Sequence, residues 1–135
     1  MDAQIIDDYL AQVTRAIEML PRQDLLKVIE ILRSARMEGR TVFVFGNGGS
    51  AATASHMVCD FSKNTRQPEK PRLKSIALND NMPSLSAYAN DEGYERVFVE
   101  QLITLANPGD VALAISGSGN SPNVLLAVEA ARQIG

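Results

Sequence analysis

Two short apolar segments of this chain each run directly into a loop of small polar residues. Thr41–Phe45 precedes Gly46–Gly49, and Val111–Ile115 precedes Ser116–Ser121. Consecutive apolar, β-branched residues are typical of strands that are buried on both faces of a parallel sheet. A third apolar segment, Leu73–Leu78, lies between the two. Because helical patterns separate the three segments, the sequence predicts an α/β fold, a doubly wound parallel sheet with right-handed crossovers.

The residues before the first strand predict two helices. Ile5, Tyr9, Val13 and Ile17 recur every four residues, which is the spacing of one helix face. We expect a helical hairpin over residues 1–38 that serves oligomerisation, packed as one unit with an α/β domain over residues 39–135. The expected strand order is 2-1-3. Doubly wound sheets usually have five or more strands, so C-terminal strands are expected to be missing from this domain.

Composition excludes several classes of function. The formal net charge of the 135 residues is −3, whereas a nucleic-acid-binding domain usually carries a basic surface. No apolar run approaches the roughly 20 residues of a membrane-spanning helix, and the N-terminus predicts no secretory signal. A single cysteine, Cys59, cannot form an internal disulfide. We therefore expect a cytoplasmic protein with no nucleic-acid or membrane partner.

Both polar loops are predicted at the carboxyl end of a strand and at the start of a helix. Such a position binds anions, because free backbone N–H groups and the positive end of the helix dipole meet there. Glycines let the backbone approach a ligand, and serines add hydroxyl donors. The alternative is a plain strand–helix turn with Ser121 as a helix cap. The candidate substrate-binding residues in the two loops are Asn47, Gly48, Gly49, Ser50, Ser116, Gly117, Ser118 and Ser121.

The kind of anion is constrained by what the loops lack. Gly46, Gly48 and Ala51 fit the dinucleotide-binding pattern. That pattern also requires an acidic residue about 20 positions further on, and the candidate for it, Asp80, lies much further along the chain. No lysine follows the glycines, which excludes a P-loop. A single phosphate group bound by serines and backbone amides fits the loops better than a dinucleotide or a nucleoside triphosphate.

Two further pairs are candidates for chemistry. His56 and Asp60 lie four residues apart on the predicted helix after the first loop, so they share a face. They are either metal ligands, an acid/base pair or a simple surface hydrogen bond; zinc needs three protein ligands or more. Asn90 and Asp91 lie between two helical segments, where they either reach a sugar hydroxyl or cap the next helix.

Three segments together resemble one protein family. Phe45–Ala52 followed by His56 resembles the first signature of the sedoheptulose 7-phosphate (phosphoheptose) isomerases, which have the sugar isomerase (SIS) fold. Ser116–Pro122 resembles the second signature, in which serines hold the sugar phosphate. Asn90–Tyr94 resembles the Asn-Asp segment between them. The resemblance covers the whole chain, in the family's order and spacing.

The resemblance implies an aldose–ketose isomerase of heptose synthesis for lipopolysaccharide or another surface glycan. It also implies a homotetramer with sites between subunits, and a zinc ion bound by His56. The family's active-site glutamate aligns with Asp60, which is one methylene shorter, and Gly117 replaces a residue that usually carries a hydroxyl. The family's further Gln and His follow beyond residue 135, so we expect the chain alone to be inactive. The alternative function is a non-catalytic SIS module that binds a phosphosugar or serves as a platform for protein interactions.

Overall fold

The computed structural model describes residues 2–135 and contains six α-helices and three strands within that range. In chain order the elements are α1 (Asp2–Glu18), α2 (Arg22–Glu38), β1 (Thr41–Gly46), α3 (Gly49–Lys63), β2 (Lys74–Ala77), α4 (Met82–Asp91), a 3₁₀ turn (Tyr94–Arg96), α5 (Val99–Leu105), β3 (Val111–Ile115) and α6 (Pro122–Ile134).

The three strands form one parallel sheet in the order β2-β1-β3, as the sequence predicts. Thr41 pairs with Lys74 at the start of β1, and Gly46 pairs with Ile115 at its end. The central position suits β1 because its residues 42–45 are almost completely buried. All three strands therefore end at the same edge of the sheet, and the predicted polar loops leave from that edge.

Side chains of β1 alternate between two apolar clusters, one on each face of the sheet. Phe43 and Phe45 pack with residues of α5 and α6, and the rings of Phe45 and Phe98 lie 5.3 Å apart. Val42 and Val44 pack on the other face with Ala54 of α3. Helices thus cover both faces, which is the doubly wound arrangement that the apolar run in β1 predicts.

The described residues divide into two compact units, one that ends at Glu30 and one that covers Ile31–Gly135. The sheet and both clusters belong to the second unit. In the first unit, α1 exposes large apolar side chains along one stripe: Ile5, Ile6, Tyr9, Leu10, Val13 and Ile17. Among the described residues, no helix has both the length and the apolar character needed to cross a membrane.

Gly46 allows the ends of β1 and β3 and the start of α3 to approach one another. A Cβ atom at this position would lie 2.5 Å from the carbonyl oxygen of Ile115 and 2.8 Å from Cβ of Ser50. Real Cβ atoms do not approach a backbone oxygen so closely, so a side chain here would force the two strand ends apart. Glycine at this position therefore sets the spacing between the two polar loops.

We expect Gly46→Ala to lower the free energy of unfolding by about 1–3 kcal/mol, the usual cost of overpacking a rigid site. The measurement is equilibrium unfolding in urea. Gly49→Ala is the matched control, because the space around Gly49 is open and alanine is a better helix former. Equal stability of Gly46→Ala and Gly49→Ala would show that the strand ends can move apart freely.

Candidate functional site

The first loop, residues 46–50, turns sharply from β1 into α3. Gly48 occupies the N-cap position with φ +54° and ψ −121°, a conformation that favours glycine, and it provides no side-chain cap. The first backbone N–H groups of a helix have no partner within the helix. Open space lies where side chains at Gly48 and Gly49 would be. Here the N–H groups of Ser50 and Ala51 donate to the Asn47 carbonyl, whereas those of Gly48 and Gly49 make no hydrogen bond within the described residues. The donors that the start of α3 offers an anion are therefore the N–H groups of these two glycines.

The second loop, residues 116–121, is folded by two of its own serines. Ser116 Oγ accepts a hydrogen bond from the Gly119 N–H at 3.1 Å, and Ser118 Oγ accepts one from the Asn120 N–H at 3.2 Å. In both cases the serine oxygen is the acceptor, so the hydroxyl hydrogen can still be donated to a ligand. Gly117 and Gly119 have open space beside them. The predicted serines thus shape the loop and still present donors.

Ser121 lies at the N-cap of α6, but its side chain does not cap the helix. The sequence left two alternatives for this residue, a helix cap or a ligand-binding hydroxyl. Among the described residues, no hydrogen bond is made by its Oγ, and the side chain is half-buried at the start of the helix. Neither loop contains a basic residue. An anion at this site would therefore be bound by hydroxyl and backbone donors.

Paired amides join the two loops. Asn47 Nδ2 donates to Asn123 Oδ1, and Asn123 Nδ2 donates back to Asn47 Oδ1, both at 2.9 Å. Asn123 is the second residue of α6 and is 2% exposed. The Tyr94 hydroxyl also donates to Asn47 Oδ1, at 3.0 Å. Sequence reasoning singled out Asn47 but missed Asn123, because nothing in the pattern of an amphipathic helix distinguishes its buried amide.

The end of β2 contributes two more contacts that the sequence analysis did not predict. Asn79 bridges the backbone of Gly46, accepting from its N–H at 3.3 Å and donating to its carbonyl at 2.7 Å. Asp80 accepts a 2.5 Å hydrogen bond from Ser55 of α3. The available signal was their position, since polar residues directly after a strand of a parallel sheet lie at its carboxyl edge. Asn79 thus holds the first loop from the β2 side, and Asp80 holds the helix that follows it.

The segment between α4 and α5 reaches the first loop through Tyr94. The predicted pair Asn90 and Asp91 is exposed at the end of α4, and the Asn90 amide donates to Asp91 Oδ1 at 2.6 Å. No hydrogen bond in the described part of the chain connects this pair to either loop. Beside Tyr94, Arg96 hydrogen-bonds Glu100 and Glu92, and these partners, Glu100 first, raise the pKa of Arg96. Their ion pairs help to hold the 3₁₀ turn in place.

His56 and Asp60 do share a face of α3, with His56 Nε2 3.4 Å from Asp60 Oδ2. The imidazole is 79% exposed, and Asp60 also accepts a hydrogen bond from Asn64 at 2.7 Å. The groove around the pair is lined only by α3 residues, from Ala52 to Phe61. His56 lies six residues after Ser50, about 9 Å along the helix axis. The pair is thus adjacent to the phosphate-binding candidates but separate from them.

The residues of this chain do not by themselves fit a zinc ion. Zinc sites in proteins have at least three protein ligands, and His56 and Asp60 provide two. Within residues 2–135, no group of three His, Cys, Asp or Glu side chains is positioned to hold a metal. Both side chains of the pair also reach solvent. A zinc site here would need at least one further group.

Comparisons with known proteins agree with the geometry. The sequence model of the SIS domain family matches residues 8–135. A probable phosphoheptose isomerase from Thermoplasma acidophilum is 42% identical over 135 residues, which cover 100% of this chain and 72% of that protein. A phosphoheptose isomerase from Nitratidesulfovibrio vulgaris is 38% identical, over 98% of this chain and 64% of that protein. This chain therefore spans only part of the length of these relatives.

A solved structure has the same fold. The phosphoheptose isomerase from Neisseria gonorrhoeae superimposes on this chain with a TM-score of 0.88 at 31% sequence identity. The alignment covers 99% of this chain and 71% of that one. The α/β architecture predicted from the sequence is confirmed by this match as well as by the strand order.

We expect residues 1–135 to bind zinc only weakly, with a micromolar or higher Kd, because two exposed ligands are available. Titration with zinc in competition with a chelating dye measures it. His56→Ala should abolish the residual binding, whereas Ser62→Ala, a control on the same helix at a residue that bonds only the Cys59 carbonyl, should leave it unchanged. Stoichiometric nanomolar binding by the unmodified chain would contradict the ligand count.

Proposed function

Because the chain belongs to the SIS domain family over residues 8–135, we propose that it is the phosphosugar-binding part of a phosphoheptose isomerase. The substrate we propose is sedoheptulose 7-phosphate. The reaction is an aldose–ketose isomerisation, in which a proton moves between two neighbouring carbons by way of an enediol.

The observation that carries this proposal is the junction of the two loops at one edge of the sheet. Open parallel sheets bind their ligands outside the carboxyl ends of the strands. Here the first turn of α3 and the first turn of α6 meet there, joined through Asn47 and Asn123. Ser50, Ser118 and Ser121 add hydroxyl donors around the same point. These are donors for a phosphate, and no side chain in the loops carries a competing charge.

In the proposed complex the loops hold the phosphate and thereby fix the position of the reacting carbons. Such orientation lowers the barrier because the entropy of alignment is lost on binding and not in the chemical step. Asp60 is the carboxylate that we propose for the proton transfer, with His56 beside it at 3.4 Å. A sugar chain extending along α3 from the loops would bring its carbonyl end towards this pair. Asn90 and Asp91 remain our candidates for contacts with sugar hydroxyls.

Zinc, assembly and pathway are further parts of the proposal. In the alternative role for Asp60, it would be a zinc ligand together with His56 and not the base, and at least one group from outside residues 1–135 would complete the site. We propose that the protein acts in heptose synthesis for lipopolysaccharide or another surface glycan. We also propose a homotetramer, supported by the apolar stripe that α1 exposes. Large exposed apolar patches commonly mark protein–protein interfaces.

We expect the double substitution Ser118→Ala and Ser121→Ala to weaken the binding of sedoheptulose 7-phosphate. Each lost hydrogen bond to the phosphate is charge-assisted and contributes about 1.5–3 kcal/mol. Titration calorimetry on both proteins measures the difference. Ser34→Ala is the matched control, because Ser34 bonds Glu38 within α2 and lies in neither loop.

An unchanged affinity in the double variant would contradict the assignment of the phosphate to the second loop. The same preparations are assayed for aldose–ketose conversion, with and without zinc. Binding without conversion at an enzymatic rate is the expected result, because the described residues provide only one carboxylate and one imidazole on an exposed helix face. Rapid conversion would show that this pair is sufficient for the reaction. Binding of no phosphosugar at all would contradict the proposed function.

For the assembly, we expect the chain to associate at tens of micromolar and Tyr9→Asp to shift it towards monomer. Tyr9 is 66% exposed in the middle of the apolar stripe of α1, and a charge there would have to be buried in the interface. Ala11→Asp on the opposite face of the same helix is the matched control. Sedimentation equilibrium over a concentration series measures both. A monomeric wild type, or equal effects of the two substitutions, would exclude an interface on this stripe.

A further inference from the structure

The amide of Asn47 is held by two residues from other parts of the chain. Asn123 comes from α6, 76 positions along the sequence, and Tyr94 comes from the 3₁₀ turn, 47 positions along. The Asn123 side chain is almost completely buried. A buried amide without partners is costly, so its reciprocal bonds with Asn47 stabilise this arrangement strongly. The contact therefore has the properties of a defined polar network.

The hydrogen-bond capacity of Asn47 is largely used by these partners. A side-chain amide has two acceptor lone pairs and two donor hydrogens. Both lone pairs of Asn47 Oδ1 are occupied, by Asn123 Nδ2 and by the Tyr94 hydroxyl. One hydrogen of Asn47 Nδ2 is donated to Asn123 Oδ1. What Asn47 has left for a ligand is a single N–H donor.

Rotation of the Asn47 amide by itself is opposed by the same contacts. If its oxygen and nitrogen exchanged places, the two NH₂ groups would face each other and so would the two carbonyl oxygens. Both reciprocal bonds would be lost in a part-buried contact, where the Asn123 amide has little access to water as a replacement partner. The Tyr94 hydroxyl adds a third bond that favours the oxygen in its present position.

We propose that Asn123 and Tyr94 are positioning residues that hold the Asn47 amide with one N–H directed at an acceptor oxygen of the bound phosphosugar. This inference rests on the proposed function and assigns roles to two residues of the same site. Asn123 is two residues from Ser121, and Asn47 is three residues from Ser50. The amide pair thus also fixes the distance between the hydroxyls of the two loops before a ligand arrives.

The first test compares Tyr94→Phe with Tyr88→Phe. Each substitution removes only a hydroxyl group. The Tyr94 hydroxyl donates a hydrogen bond to Asn47, whereas the Tyr88 hydroxyl makes none within the described residues. Titration calorimetry with sedoheptulose 7-phosphate should give a Kd about three- to tenfold higher for Tyr94→Phe, the range for one neutral hydrogen bond. Tyr88→Phe should bind like the unmodified chain. Equal affinities of the two variants would overturn the role of Tyr94.

The second test decides whether Tyr94 and Asn123 act through Asn47. In an Asn47→Ala background, Tyr94→Phe and Asn123→Ala should cause little further loss of affinity, because the group that they position is gone. In the unmodified background, Asn123→Ala should weaken binding at least as much as Tyr94→Phe. Losses that simply add to that of Asn47→Ala would overturn the proposal and point to a general effect on stability.

A third measurement needs no ligand and so separates this inference from the proposed function. In nuclear magnetic resonance spectra, the Asn47 side-chain hydrogen that is donated to Asn123 should exchange slowly with water in the unmodified chain and faster in Asn123→Ala. Tyr94→Phe should shift the Asn47 side-chain signals and leave those of Asn107, distant in sequence, unchanged. Fast exchange in the unmodified chain would overturn the inference. Slow exchange in a chain that binds no phosphosugar would retain the amide network and contradict the proposed function only.

Discussion

The parallel pairing of β1 between β2 and β3 is the constraint on which the rest of the structure depends. Because all three strands run in the same direction, their carboxyl ends meet at one edge, and every chain segment that leaves this edge starts near the others. The pairing persists because β1 is buried on both faces, with Phe43 and Phe45 on one side and Val42 and Val44 on the other. Burial of such side chains contributes about 1.5–3 kcal/mol each.

Small residues and amides convert this edge into a candidate site. Gly46 permits the ends of β1 and β3 to approach within a distance that no side chain would tolerate. Asn79 hydrogen-bonds the N–H and the carbonyl of Gly46 from the β2 side, and Asn123 hydrogen-bonds the Asn47 amide from the α6 side. The glycines provide access, the serines provide donors, and the asparagines fix the geometry. A flexible pair of loops would have to lose more conformational entropy on binding an anion.

Much of this arrangement could be predicted from the chain itself. Three apolar segments separated by helical patterns were sufficient for the fold class, and the expected strand order 2-1-3, which the structure confirms, is one of the few that parallel strands with right-handed crossovers allow. The location of both loops at strand ends followed from the same pattern. His56 and Asp60 share a helix face, as their four-residue spacing requires. Asn123, Tyr94 and Asn79 could not be predicted, because their partners lie 33 to 76 positions away.

The sequence by itself determined the helices and strands and the kinds of donor in each loop, because these depend on local periodicity and on residue chemistry. The tertiary structure alone decided how those donors are oriented. The sequence allowed Ser121 to be either a helix cap or a ligand-binding hydroxyl, and in the structure its side chain does not cap the helix. The sequence did not distinguish Asn47 from the other polar residues of the loops, and its orientation follows from the hydrogen bonds that Asn123 and Tyr94 donate to its oxygen. Orientation depends on contacts between distant segments, and these form only when the sheet brings the strand ends together.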